Sequence, residues 1–179
     1  MSTVQETQTL IPAGTWSADR AHSSVQFAVR HMKIVTVQGR FLDYEATLQG
    51  GDQPTLRGAI RTASASTDDE QRDGHLNSPD FFDVERYPEA TIESTSIEPG
   101  RIVADVTLRG VTLPVEFEAT FFGPDTDPWG NERVGLQLDG EVDRTQFGIS
   151  WNAPLPGGDF LLDDTVKLTS HISFVRQAG

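Results

Sequence analysis

The chain has 179 residues, of which 36% are hydrophobic, and this suits a single domain with a buried core. Its 27 acidic residues outnumber its 14 basic ones, and the formal charge of −13 disfavours nucleic acid and anionic membranes as partners, because both are bound through Lys and Arg. The absence of cysteine excludes disulfide bonds, thiol nucleophiles and cysteine metal sites.

The N-terminal stretch, residues 1–12, has neither the basic start nor the apolar run of a secretory signal. No apolar run elsewhere approaches the ~20 residues that span a bilayer. We therefore expect a flexible tail over 1–13, one domain over 14–179, a cytoplasmic location and no stable membrane insertion.

Alternating apolar and polar residues dominate the remainder, which is typical of strands with one buried face and one wetter face. In chain order, the predicted strands cover 15–19, 24–30, 37–48, 55–63, 90–97, 101–109, 111–122, 134–142 and 166–174. Eight or nine such strands predict an all-β, mostly antiparallel fold, either a two-sheet sandwich or a closed barrel, and the alternation does not separate the two. A closed eight-stranded barrel has an interior that side chains just fill or that holds one small ligand.

A single helix interrupts the predicted strands. Thr67 and Glu70 have the spacing of a capping box, and the two aspartates between them favour a helix N-terminus through the helix dipole. We predict one short helix over residues 68–77, which ends before Ser78 and Pro79.

Residues able to carry chemistry do not form a recognisable motif. The four histidines, His22, His31, His75 and His171, are scattered, and no pair has the i, i+4 spacing of a helical zinc site. The sequence has no phosphate-binding loop and no nucleophile elbow. We therefore predict no metal, no cofactor and no catalytic residue, and we interpret the histidines as hydrogen-bonded groups at strand ends.

Arginines next to predicted strand ends are the most useful polar candidates. Arg109 lies between two predicted strands, and Arg144 follows another. A guanidinium in such a place could bind the anionic or polar head group of a ligand through its planar fork. The alternative is a structural ion pair, for example between Arg144 and Asp143, and the sequence leaves both interpretations open.

A series of short motifs runs in order from about residue 14 to the C-terminus. They are Trp16-x-x-Asp19-x-x-His22-Ser23, Phe27-x-x-x-His31, Gly39-x-Phe41, Arg72-Asp73-x-His75-Leu76, Phe81-Phe82-Asp83, Tyr87-Pro88, Leu108-Arg109-Gly110-Val111-Thr112 and Asp143-Arg144-x-x-Phe147-Gly148. Each motif alone is weak, but their order and spacing together are specific. By these motifs the chain resembles the YceI-like family of polyisoprenoid-binding, lipocalin-like proteins.

The resemblance implies an extended antiparallel eight-stranded β-barrel, lipocalin-like, whose hydrophobic pore takes a long isoprenoid or a similar amphiphile. It implies binding, storage or transport, without established catalysis. Many relatives are exported with a signal peptide, a feature that residues 1–12 do not show.

Our first hypothesis is a carrier that binds a polyisoprenoid, an isoprenoid quinone-like lipid or a fatty species inside the barrel, with a homodimer as a possible assembly. The candidate wall residues are Val25, Phe27, Val29, Val106, Leu108, Val115, Phe117, Leu136, Leu168 and Ile172. The candidate mouth or head-group residues are His22, His31, Arg72, His75, Arg109 and Arg144. Two alternatives stay open: an enzyme that acts on a hydrophobic substrate through groups such as Asp73 and His75, and a non-catalytic interaction module with a filled core.

Overall fold

The computed structural model describes residues 11–178, which form eleven strands, one α-helix and three short 3-10 helices. The strands are β1 (Gly14–Ala18), β2 (Ser24–His31), β3 (Val35–Phe41), β4 (Tyr44–Gly50), β5 (Thr55–Arg61), β6 (Ala65–Ser66), β7 (Glu89–Glu98), β8 (Arg101–Leu108), β9 (Val111–Thr126), β10 (Glu132–Asp143) and β11 (Leu162–Arg176). The α-helix is α1 (Glu70–Asn77), and the 3-10 helices are Arg20–His22, Thr62–Ser64 and Arg144–Phe147.

The eleven strands occupy eight strand positions around a closed barrel. β1 and β2 both pair with β11 and together act as one long, bent strand. β3 and β4 form a second such strand, which pairs with the first, and β5 and β6 form a third, which pairs with the second. β7 to β11 follow in sequence order, and the pairing of β1 with β11 closes the ring. All these pairings are antiparallel, which confirms the predicted eight-stranded antiparallel barrel and excludes the two-sheet sandwich.

The barrel has two different ends. The upper end carries the β2–β3 hairpin, α1, the β8–β9 turn and the segment 144–161. The lower end carries the turns over 51–54, 99–100 and 127–131. These ends are defined by the up-and-down order of the strands, in which each hairpin connection returns the chain to the opposite end.

Part of the upper wall is not made of strand. β6 pairs with β3 at only two positions, Ala65 and Ser66, whereas β7 begins lower in the barrel, opposite Arg61 at the end of β5. α1 and the following segment, 78–88, cover the remaining gap, and Leu76 and Phe82 from this cover pack into the upper apolar cluster. This part of the wall therefore lacks the continuous ladder of backbone hydrogen bonds that joins the other strands.

The lower end is packed solid. Ile11, Trp16 and Phe174 are fully buried in one cluster, and the Trp16 Nε1–H donates a hydrogen bond to the Pro12 carbonyl at 3.0 Å. Because Ile11 belongs to this cluster, the packed domain extends into the predicted tail over 1–13 by at least its last three residues. Residues 1–10 of that tail lie outside the described residues.

The predicted helix is confirmed, but its cap differs. The carboxylate of Asp69 accepts a hydrogen bond from the Arg72 N–H at 2.9 Å, so Asp69 is the N-cap and α1 begins at Glu70. The Thr67 hydroxyl instead donates to Asp73 Oδ1 at 2.6 Å and accepts from Arg72 Nε at 2.7 Å. Thr67 is therefore the centre of a polar cluster beside the helix and not its cap.

The predicted inward faces of the central strands are the buried ones. Ile102 and Ala104 of β8, and Leu136 and Leu138 of β10, all lie in the main hydrophobic core. A period of two brings every second side chain to one face of a strand, so the buried face follows directly from the alternation. Among residues 11–178, no helix is long and apolar enough to cross a bilayer.

Candidate ligand-binding cavities

A lower cavity of about 120 Å³ lies in the middle of the barrel. Inward side chains of β2 to β5 and of β7 to β11 form its wall, among them Val25, Leu56, Leu136 and Ile172, and the wall is almost entirely apolar. The ring of Tyr44 is also part of it, and burial raises the pKa of the Tyr44 hydroxyl above its ordinary value. The hydroxyl therefore stays neutral at physiological pH, and the cavity wall offers little charge to a ligand.

An upper cavity of about 170 Å³ lies between the upper end of the barrel and its cover. Phe27 and Leu108 of the barrel line one side, and Leu76, Phe81 and Phe82 of the cover line the other. The exposed surface of this wall consists of carbon atoms throughout. A wall of this kind favours an apolar guest, because a polar group placed there loses its hydrogen bonds to water without replacement.

The two cavities adjoin. They share five wall residues, which are Phe41, Ile60, Ala90, Val106 and Leu168. Ala90 has the smallest side chain of these and lies opposite Ile60 in the β5–β7 pairing. Apolar space therefore extends from the middle of the barrel to its upper end, whereas the solid packing around Trp16 closes the lower end.

Aromatic rings form the boundary of this space on the side of β2 and β3. The ring centroids of Phe27 and Phe41 are 5.2 Å apart, and those of Phe41 and Phe82 are 5.7 Å apart. The Phe27 ring lies directly over Gly39, where a Cβ atom would overlap the ring. The missing side chain at Gly39 thus lets Phe27 lie flat against β3 instead of filling the upper cavity.

The barrel and its cavities agree with the comparisons to known proteins. A family model described as a YceI-like domain matches residues 16–174, nearly the whole described chain. The chain belongs to the YceI-like family. Among its relatives, UPF0312 protein SA2479 of Staphylococcus aureus strain N315 is 32% identical over 161 residues, which cover 87% of this chain and 94% of the relative.

Several solved structures share this fold. BcnA of Burkholderia cenocepacia has a TM-score of 0.70 at 20% identity, covering 87% of this chain and 98% of its own. A polyisoprenoid-binding domain from Saccharophagus degradans, implicated in plant cell wall breakdown, has a TM-score of 0.67 at 14% identity, with coverage of 90% and 98%. At these identities the likeness establishes the barrel architecture alone, and the ligand has to be inferred from the cavity of each protein.

Most of the predicted wall residues of this YceI-like barrel lie along the cavities. Val25, Phe117, Leu136 and Ile172 line the lower cavity; Phe27, Val29 and Leu108 line the upper one; Val106 and Leu168 line both. Val115 lines neither and lies in the packed core, where it faces Ala104 across the β8–β9 pairing. Contact with a ligand stays a prediction for all ten.

Arg109 holds the cover in place. Its Nη1 donates hydrogen bonds to the carbonyls of Pro79 at 2.7 Å and of Phe81 at 2.6 Å, and so ties the β8–β9 turn to the segment after α1. The residue itself has a positive φ of 51° at the turn. Its Nη1 is engaged with two of the chain's own carbonyls, which favours the structural alternative that the sequence left open.

Arg144 has a similar structural role inside the protein. Its carbon stem lines the upper cavity, while Nε donates to the Asp163 carbonyl and Nη1 donates to the carbonyls of Ile149 and Trp151, all within 2.9 Å. Burial lowers the pKa of the guanidinium, and the nearby charges of Asp164 and Asp143 act in the opposite direction. The side chain thus fastens the 144–161 segment to the barrel, and a head-group role stays a prediction.

The remaining mouth candidates do not converge. His22 lies on the outer surface, with Nδ1 2.8 Å from Asp19 Oδ2, and Arg72 binds Thr67 beside the helix. His75 packs edge-on against Phe81 and Trp151 on the outside of the cover, and its Nε2 is 2.9 Å from Asp80 Oδ2. His31 ends β2 next to the hairpin tip. The geometry therefore does not gather these residues into one polar mouth.

Shifted carboxylate pKa values occur away from the cavities. Hydrogen bonds from His22 and Arg133 lower the pKa of Asp19. The pKa of Asp127 is lowered most by the hydrogen bond from the backbone N–H of Asn131 and next by the one from Arg133. Arg133 joins the two carboxylates, with Nη1 3.0 Å from Asp19 and Nε 2.9 Å from Asp127. This network fastens the β9–β10 hairpin to the end of β1, and it offers no acid–base pair to a bound molecule.

The sequence reasoning missed the residues of the cover. Leu76, Phe81 and Phe82 line the upper cavity but belong to a helix and a loop, where no alternation marks an inward side chain. Ala90 was missed for another reason, since a small residue at the start of a strand carries little hydrophobic signal. The adjacent pair Phe81-Phe82 was the available clue, because two consecutive aromatics in a loop need a buried partner.

Proposed function

We propose that this chain binds a long hydrophobic amphiphile, such as a polyisoprenoid or an isoprenoid quinone-like lipid, inside the barrel for storage or transport and without catalysis. The observation that carries this proposal is the pair of adjoining, carbon-walled cavities that reaches the upper end of the barrel. It agrees with the description of the Saccharophagus degradans domain as polyisoprenoid-binding. The alternative of an interaction module with a filled core is disfavoured, because a filled core would leave no space for these cavities.

The energetics suit a hydrocarbon tail. Each buried CH₂ contributes about 0.8 kcal/mol, so a short isoprenoid segment binds through apolar area alone and needs no fixed polar partner. A cavity of roughly 150 Å³ holds one benzene ring, so each of the two cavities takes about one isoprene-sized group. A longer tail then requires the rings of Phe27, Phe41 and Phe82 to turn away from the cavity.

The proposed orientation places the tail in the barrel and the head group at the upper end. The solid lower end around Trp16 blocks passage in the other direction. The cover formed by α1 and 78–88 is held by side-chain bonds, such as those of Arg109, instead of a strand ladder. Opening it breaks fewer backbone hydrogen bonds than parting two strands, and this makes the cover the proposed route into the barrel.

The non-catalytic part of the proposal rests on where the polar donors lie. Arg109 Nη1 and the Nε and Nη1 of Arg144 donate to backbone carbonyls, and His75 lies on the solvent-facing side of the cover. Asp73, the other candidate of the enzyme alternative, accepts from Thr67 beside the helix. A bound molecule is therefore expected to leave the barrel chemically unchanged.

The test is native mass spectrometry of protein purified without detergent, followed by organic extraction. We expect a co-purified species with polyprenyl or fatty composition in near-stoichiometric amount. Delipidated protein should bind added prenyl alcohols with an affinity that rises with each isoprene unit until both cavities are filled, and the recovered alcohol should keep its mass. Protein that neither carries a lipid nor gains mass with any prenyl alcohol would overturn the proposal, and a chemically altered alcohol would overturn its non-catalytic part.

The homodimer, the cytoplasmic location and the lack of nucleic-acid binding stay predictions from the sequence. Sedimentation velocity measures the first directly: a protomer mass of 19.6 kDa at all micromolar concentrations would contradict a homodimer.

A further inference from the structure

Large exposed apolar side chains gather at one corner of the upper end. Met32, Ile34, Val35 and Phe160 are exposed by 41%, 76%, 52% and 58%. The β2–β3 hairpin lies against the segment that carries Phe160, because the Met32 N–H donates to the Leu161 carbonyl at 2.7 Å. We name these four side chains the apolar tip. Clustered exposed apolar groups of this kind mark interaction surfaces.

The backbone of the hairpin makes this exposure more costly. Met32 and Lys33 both have positive φ, at 55° and 59°, and the Ile34 N–H donates to the His31 carbonyl at 3.2 Å to close the turn. Asn and Gly adopt this conformation with far less strain than Met or Lys. The chain thus keeps a strained turn and exposes apolar side chains on it, a combination that points to a function for the tip and not to stability.

The apolar tip is continuous with the proposed ligand site. Val29, two residues before His31, and Leu162, two residues after Phe160, both line the upper cavity. His31 and Leu162 are also paired between β2 and β11. The tip therefore extends from the wall of the cavity itself, at the end opposite the closed lower core.

Charge supports one kind of partner. Lys33 lies at the turn and Arg30 donates to its carbonyl at 2.8 Å, so two cations flank the apolar tip. Long basic side chains beside apolar ones are the usual arrangement at a lipid surface, where the cations reach the phosphates. Asp159 lies 3.5 Å from Lys33, and the whole chain has a charge of −13, so an anionic membrane is disfavoured.

We propose that the apolar tip inserts shallowly and reversibly into the surface of a zwitterionic phospholipid bilayer, where the barrel loads and releases its ligand. The cargo in this inference rests on the proposed function, since a polyprenyl lipid is insoluble in water and must be collected from a membrane. The docking itself rests on the tip alone. The two parts therefore fail separately.

The experiment measures co-sedimentation of the full-length protein with phosphatidylcholine vesicles. Replacing Ile34→Ser and Phe160→Ser together removes two exposed side chains that make few internal contacts, so the fold should persist, and thermal unfolding checks this. We expect the partition coefficient to fall by roughly a hundredfold, about tenfold for each side chain withdrawn from the bilayer. The matched control, Phe122→Ser with Trp129→Ser, removes two exposed aromatic side chains on β9 and the hairpin at the lower end and should leave binding unchanged.

Further arms separate the possible outcomes. Binding to phosphatidylcholine should be insensitive to salt, whereas vesicles with anionic lipid should bind more weakly at low salt because of the negative chain. Equal binding by the tip variant and the parent, loss of binding in the control variant, or preference for anionic vesicles with release by salt would each overturn the docking. Native mass spectra of the tip variant with a prenyl alcohol report on the cavity independently, and unchanged ligand binding there is the expected result.

Discussion

Replacing Ala90→Phe tests whether the two cavities work as one binding space. Ala90 borders both cavities and lies opposite Ile60 in the β5–β7 pairing. A phenyl ring at this place takes up the junction, and one ring is close to what the lower cavity of about 120 Å³ can hold, because a cavity of roughly 150 Å³ accommodates a benzene molecule. The variant should therefore exclude the end of a bound tail from the lower cavity.

The magnitude follows from the carbon atoms that lose their burial. An excluded isoprene unit has five carbons, and at about 0.8 kcal/mol for each buried CH₂ the upper figure is about 4 kcal/mol. Adjustment of the wall reduces this to ~3 kcal/mol, which is roughly a hundredfold in Kd. The free energy of unfolding should change less, because filling a void stabilises the protein while imperfect fit of the added ring costs about 1–3 kcal/mol.

The assay is titration of delipidated protein with prenyl alcohols of increasing length, followed by native mass spectrometry. In the parent, affinity should rise until both cavities are filled, and in Ala90→Phe the rise should stop about one isoprene unit earlier. Ala59→Phe is the matched control, since Ala59 pairs with Thr91 one position along the same strands, on the outer face. Identical length dependence in the parent and in Ala90→Phe would refute the idea that the cavities jointly hold the tail.

Three further predictions concern the polar side chains. Arg109→Ala removes the hydrogen bonds to Pro79 and Phe81, so stopped-flow measurements should show faster ligand exchange, and urea unfolding should show a loss of about 2 kcal/mol. Arg144→Met leaves three carbonyls without their donor and should cost about 3 kcal/mol or more, and Arg144→Lys should not restore this because lysine lacks the planar fork. Asp127→Asn should lower stability at neutral pH, and the difference from the parent should narrow as the pH falls below about 4, because a carboxylate with a lowered pKa stabilises the folded state only while it is ionised.

Each of these has a control and a contrary result. Arg101→Ala removes a guanidinium that pairs with Glu116 on the exposed barrel face and should leave ligand exchange unchanged; equal rates in Arg109→Ala and the parent would contradict the role of the cover. If Arg144→Lys unfolds with the same free energy as the parent, a positive charge alone stabilises this site, and the role of the planar guanidinium is contradicted. A gap between Asp127→Asn and the parent that stays constant from neutral to acidic pH would contradict the stabilising role of the ionised carboxylate, and Asp125→Asn in the same hairpin controls for the loss of one surface charge.

The local pattern of the sequence was enough for most strands and their faces, although it merged β3 and β4 into one predicted strand over 37–48 and did not indicate β6. Along β8, Ile102, Ala104, Val106 and Leu108 alternate with Val103, Asp105 and Thr107, and the first four face the interior. This inference succeeds because the direction of a strand side chain depends only on its position along the strand. The order of the motifs identified the family, and the family in turn specified a barrel in place of a sandwich.

Other features could be decided only by residues distant in the sequence. Phe82 of the cover meets Phe27 of β2 although neither position predicts the other, and Arg144 reaches carbonyls on both sides of a long loop. Whether an arginine is free for a ligand depends on which carbonyls happen to surround it in the folded chain. For that reason the sequence could name Arg109 and Arg144 as candidates but could not choose between a ligand and the backbone.

The size of the cavities is another feature that only residues distant in the sequence decide. A cavity is the small difference between the space that the barrel encloses and the volume of the side chains that enter it, and both are large. The Phe27 ring over Gly39, the small side chain of Ala90 at the junction and the cover formed by α1 and 78–88 determine that difference here. The sequence by itself determined a barrel whose apolar side chains face inward. The tertiary structure decided that these side chains leave room inside, because the free volume depends on how residues distant in the sequence pack against each other.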